Sequence, residues 1–176
     1  MYLVAQYKMN ELIRQQEDYK WKIAQISAEI NDLRQYAENI ADTDNLFNSL
    51  FTTPSSMYGR QLAYMNGSSV FAEGQANAQM SLLQQNPLYQ EEMQKYQNNP
   101  QAFAARQNAI MNYYRQQARA QFAKHESRLL HEREKNLLNR KSHLEQNLKT
   151  TETLMSNMDK ELQNGAQSLF GSRQSS

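Results

Sequence analysis

The sequence predicts an all-α fold, an elongated antiparallel coiled-coil hairpin of long N- and C-terminal helices with short helices between them. Three observations carry the prediction. Residues 2–47 and 101–163 contain no glycine or proline. Apolar residues recur in both stretches at steps of three and four, the spacing of one helix face. The whole chain of 176 residues holds five glycines and three prolines, too few for the turns of a sandwich or barrel. Hydrophobic residues make up only 39%, against roughly 45–50% in an average domain. The 22 glutamines and 17 asparagines account for much of the deficit.

Residues 1–50 read as an N-terminal coiled-coil helix. Their stripe runs Tyr2, Ala5, Met9, Leu12, Gln16, Tyr19, Ile23, Ile26, Ile30, Leu33, Ala37, Ile40. A repeat of about 3.5 residues held this long keeps one narrow seam facing a partner helix. Two features depart from it. Tyr7 and Trp21 fall on the opposite side of the helix, and residues 2–7 are apolar nearly all round. Such surface calls for burial by more than one neighbour, either the chain's other helices or another subunit.

Residues 51–99 read as a loop and short-helix middle region. Thr53-Pro54 looks like a helix start and Asn66-Gly67 like its stop, predicting a helix near 54–65. A second stretch follows at 75–85. Asn86-Pro87 and Asn99-Pro100 repeat one device, an amide N-cap with proline in the first turn, where its missing N–H costs nothing. They open helices near 87–97 and at 100. Residues 100–164 form the long C-terminal helix, about 90 Å at 1.5 Å per residue. It has a wide apolar face over 102–123 and a highly charged zone at 124–143. A heptad seam follows at Leu144, Leu148, Thr151, Met155, Met158 and Leu162. Residues 165–176 read as a flexible tail, with Leu169 and Phe170 as a possible anchor.

An antiparallel hairpin sets Met9 near Met155. It also sets Ile23 to Leu33 beside the charged zone, a mismatch that favours additional helices from other subunits. The charges are unevenly split. Residues 1–50 carry 5 basic and 8 acidic groups, and residues 106–149 carry 10 and 4. Complementary helices within or between subunits explain this. The mixture Tyr113-Tyr114-Arg115, Arg119 and Phe122 suits stacking on nucleic acid. The interspersed acids at 126, 132, 134 and 145 argue against that partner.

Chemistry-bearing patterns are missing. His125, His131 and His143 are six and twelve residues apart, so no two share a helix face at four-residue spacing. No glutamate has a histidine three residues on, as helical di-metal sites require. There is no nucleophile elbow, phosphate loop or cysteine. No catalytic, cofactor-binding or metal residue and no small-molecule substrate is therefore expected. No apolar run approaches the roughly 18 residues of a membrane span. The start lacks the features of a cleavable signal, pointing to the cytoplasm, a virion or a signal-less export route.

These features predict a non-enzymatic structural protein. It would self-assemble through long helices as a homo-oligomer or larger assembly, a subunit of a filament, virion or secretion-type apparatus. The alternative is a coiled-coil adaptor or chaperone for a partner protein's helix. The layout is similar, in architecture only, to subunits of exported helical filaments. Contacts are expected at Tyr2, Leu3, Met9, Leu12, Tyr19, Trp21, Ile23, Ile26, Ile30, Leu33 and Ile40. In the last helix they fall on Leu144, Leu148, Met155, Met158 and Leu162.

Overall fold

Asparagine followed by proline opens two of the described helices. A computed structural model describes residues 2–41 and 50–171, the side chains of Tyr2, Leu3 and residues 166–171 excepted. Every regular element among the described residues is helical. Helix α1 spans Tyr2–Ala41, a 3-10 turn spans Ser55–Met57, and α2 spans Tyr58–Gln84. Helices α3 and α4 span Pro87–Gln94 and Pro100–Gly171. The fold is all-α, a helical bundle.

Both asparagine caps form. The Asn86 Oδ1 accepts from the Leu88 N–H at 2.9 Å, and the Asn99 Oδ1 accepts from the Ala102 N–H at 3.1 Å. Each satisfies a first-turn donor that the helix itself cannot pair. Pro54 starts the 3-10 turn rather than an α-helix, and the Met57 N–H bonds its carbonyl at 2.9 Å.

The middle region differs from the sequence expectation. Asn66-Gly67-Ser68-Ser69 does not stop a helix, because α2 runs unbroken from Tyr58 to Gln84. The reason is packing. A Cβ on Gly67 would stand 3.0 Å from the Phe122 ring tip, so the missing side chain admits α4. Beside it, Tyr64, Ser68, Ala72, Ala76 and Met80 form a buried line at four-residue steps. Beyond the expected end of the last helix at residue 164, α4 continues through Gly165 to Gly171. Its expected anchor side chains, and residues 42–49 and 172–176, lie outside the described residues.

The chain divides into two compact units, residues 1–31 with 133–176 and residues 32–132. In the first, α1 and α4 run antiparallel. Gln16 donates to Glu152 at 3.1 Å, and Arg133 pairs with Glu29 at 2.6 Å. This register is close to the Met9–Met155 expectation. The Arg133–Glu29 pair is one contact of the kind expected between an acidic first helix and a basic last one. Ile26, Ile30 and Leu137 are buried here.

In the second unit, the end of α1, α2, α3 and the start of α4 share a core. Leu33, Tyr36 and Ile40 are almost wholly covered. Segment 52–56 clasps α1: Ser56 donates to Asp32 at 2.5 Å, and Gln35 donates to the Thr52 carbonyl at 2.7 Å. Farther along, Met80, Tyr89 and Met93 form an apolar cluster with Phe103, Ile110 and Met111 packed on it.

Candidate interaction surface

Heptad spacing places most expected contact residues on the filled seam. Met9, Leu12, Tyr19 and Ile23 are half-buried, and Ile26, Ile30, Leu33 and Ile40 are buried. Leu144, Leu148, Met155, Met158 and Leu162 are half-buried. Trp21 stands apart at 59% exposure. The side chains of Tyr2 and Leu3 lie outside the described residues.

The covered seam of α4 is longer than its leucines suggest. It continues backwards from Leu144 through Lys141, Leu137, Glu134 and Leu130 at alternating steps of three and four, each position buried or half-buried. Two charged residues on that line hid it from a reading of apolar letters. Both are half-buried, as suits long charged side chains whose methylene stems cover apolar surface. Tyr36, also missed, was legible as the step of three after Leu33.

A polar node ties three helices of the second unit together. The Tyr36 phenol donates to Glu126 Oε1 at 3.1 Å, and Arg60 Nε donates to the same oxygen at 2.6 Å. The Arg60 guanidinium also lies 5.9 Å from the Tyr36 ring centroid, within cation–π range. Burial, then the neighbouring Glu126 charge, pushes the Tyr36 phenol well above its ordinary range. The same two causes raise Tyr64. The Glu126 hydrogen bond holds the Arg60 guanidinium in its charged form, although burial opposes it. A neutral donor, a fixed cation and a shared carboxylate make a clamp between α1, α2 and α4. Phe122 packs beside it, 5.6 Å from both Tyr64 and Phe71.

The residues suggestive of nucleic-acid stacking are largely engaged in the fold. Arg115 pairs with Glu73 at 2.9 Å, and Phe122 is packed between rings. Tyr113 keeps an exposed ring and accepts from Gln117 at 2.6 Å. Among the described residues, no three His, Asp or Glu side chains cluster as a metal site. His125, His131 and His143 are all exposed. No described helix is long and apolar enough to cross a membrane.

Open concavities remain among the described residues, two of them of about 490 Å³. One lies in the second unit against Leu88, Ile110, Tyr113 and Tyr114, with the Arg106–Glu92 pair at 2.8 Å among its lining residues. The other lies in the first unit, where Trp21, Ile26 and Leu144 meet Lys22, Arg140 and His143. Large apolar side chains also stand open on the outer faces: Val4, Tyr7, Val70 and Leu88 each exceed half exposure.

The residues thus define a class, an all-α helical protein whose seam is filled from within and whose aromatic and apolar groups remain on its outer faces. The chain matches no known protein family, no characterised protein and no solved structure.

Proposed function

We propose that this is a non-enzymatic structural protein that self-assembles through its long helices, as a subunit of a filament, virion or secretion-type apparatus. One observation carries the reading. After the chain has buried Ile26, Ile30, Leu33 and Ile40 against itself, α1 still presents Val4, Tyr7 and Trp21 on its outer face. Single exposed apolar residues are ordinary. A tyrosine and a tryptophan in line on one helix face are what subunit interfaces are rich in.

The test is sedimentation velocity of the purified chain over a hundredfold concentration range. The reading expects species that grow with concentration, followed by electron microscopy of the largest. A single species of monomer mass throughout would sink it.

The second reading is an adaptor that binds another protein. The groove beside Leu88 and Tyr113 favours it, since an ion pair next to exposed apolar walls suits a short peptide segment. In that case the chain stays monomeric, and Leu88→Glu abolishes capture of the partner.

A further inference from the structure

We infer that a second copy of this chain docks antiparallel along the outer face of α1, on Val4, Tyr7, Glu11, Arg14, Asp18 and Trp21. The inference rests on the self-assembly reading above and names its surface. These six residues follow one another at steps of three and four, so they form a second heptad line on the same helix. All six are exposed. At 100° per residue the line lies about 160° around α1 from the seam already filled by α4. Among the described residues, Glu11 and Arg14 make no hydrogen bond or ion pair within the chain.

The charges select the occupant and its direction. A two-fold axis between Glu11 and Arg14 pairs each residue with one whose number falls as its own rises. Glu11 then faces Arg14 of the second copy, and Arg14 faces that copy's Glu11, giving two ion pairs at the centre. One layer out, the Tyr7 phenol faces Asp18. The Asp18 Oδ2 is held by Lys22 at 2.6 Å, which leaves Oδ1 to accept from the phenol. At each end Val4 lies against Trp21, which stands at the rim of the groove containing Ile26 and Leu144.

Every layer is complementary to itself under the two-fold, the condition for an isologous dimer. A parallel pairing in register would instead set Glu11 on Glu11 and Arg14 on Arg14, which repels. The line covers about 25 Å of helix at 1.5 Å per residue, so the contact is short, and its charged centre sets orientation more than strength.

The experiment uses the full chain, whose single tryptophan is Trp21. Tryptophan emission and sedimentation are followed from nanomolar to high micromolar concentration for the wild type, Glu11→Arg, Arg14→Glu and the double reversal. Far-UV circular dichroism confirms equal helix content. The expected result is a blue shift of Trp21 emission as the wild type associates. Each single reversal raises the dissociation constant about tenfold or more, because like charges then face each other. The double reversal returns it to within about threefold of wild type, since the pairs re-form with signs exchanged.

Three outcomes overturn the inference. Association of the wild type that neither single reversal weakens removes this face while leaving self-assembly intact by another. Weakening that the double reversal fails to repair removes the antiparallel register. A wild type that stays monomeric throughout removes both the inference and the reading beneath it.

Discussion

Tyr36 shows how one phenol can join three helices. Its hydroxyl reaches Glu126 on α4, its ring faces the Arg60 guanidinium of α2, and its backbone belongs to α1. The raised pKa of a folded tyrosine has a definite consequence for stability. The contribution of Tyr36 and Tyr64 is fully present below the unfolded value, about 10, and is lost as pH rises through the folded one. Denaturant midpoints should therefore change little through these two groups between pH 7 and 9. Above pH 10 stability should fall, by up to about 1.4 kcal/mol per pH unit for each tyrosine. Tyr36→Phe should cost about 1 kcal/mol at neutral pH through the lost hydrogen bond. It should also make the alkaline fall shallower. Urea titrations of both proteins at pH 7, 9 and 10.5 check this, and an equal alkaline slope in the two would deny Tyr36 the role.

Helix α2 is the element in which local and tertiary signals disagree. Its letters at 66–69 resemble a helix stop, yet no described residue has positive φ, so Gly67 is not a left-handed cap. It is a point of close approach. Glycine inside a helix loses about 1 kcal/mol relative to alanine, a penalty that packing on the Phe122 ring offsets. At Gly74 a Cβ would meet nothing within 4 Å. Gly74→Ala should therefore stabilise the protein by about 0.5–1 kcal/mol. Gly67→Ala should bring no gain, or destabilise by up to about 1 kcal/mol. The Phe122 ring is flanked by Tyr64 and Phe71 and has little room to retreat. Thermal unfolding of the two variants decides it, and an equal gain at both sites would contradict the packing account.

At the scale of the whole molecule, the central question is which apolar residues the chain keeps for itself. Ile30 is 4% exposed, so placing a carboxylate there buries an unpaired charge. Ile30→Asp should cost about 4 kcal/mol or more, a large share of a typical 5–15 kcal/mol. Trp21→Asp, on the outer face, should change monomer stability by less than about 0.5 kcal/mol. Urea midpoints at a concentration where the chain is monomeric separate the two. A large loss at Trp21 would mean that this ring already serves the monomer. Disruption of assembly by Ile30→Asp would report unfolding, so the outer face is where assembly is to be tested.

The sequence by itself determined the all-α class, the two long helices, both asparagine-proline starts and the seam from Met9 to Ile40. Each of these is set by local chemistry or by periodicity along one helix, where neighbours three and four apart share a face whatever packs on them. It also set Tyr7 and Trp21 opposite that seam. Tertiary structure decided the rest. It kept α2 helical through Gly67, because the permitting contact is with Phe122, far away in sequence. It drew Glu134 and Lys141 onto a covered seam, because the methylene stems of long charged side chains can cover apolar surface. It also covered the stretch Ile23–Leu33 from within the chain, where Ile26, Ile30 and Leu33 are buried. The sequence reading had assigned that stretch a mismatch, since periodicity shows that a face must be covered but does not say by which helix.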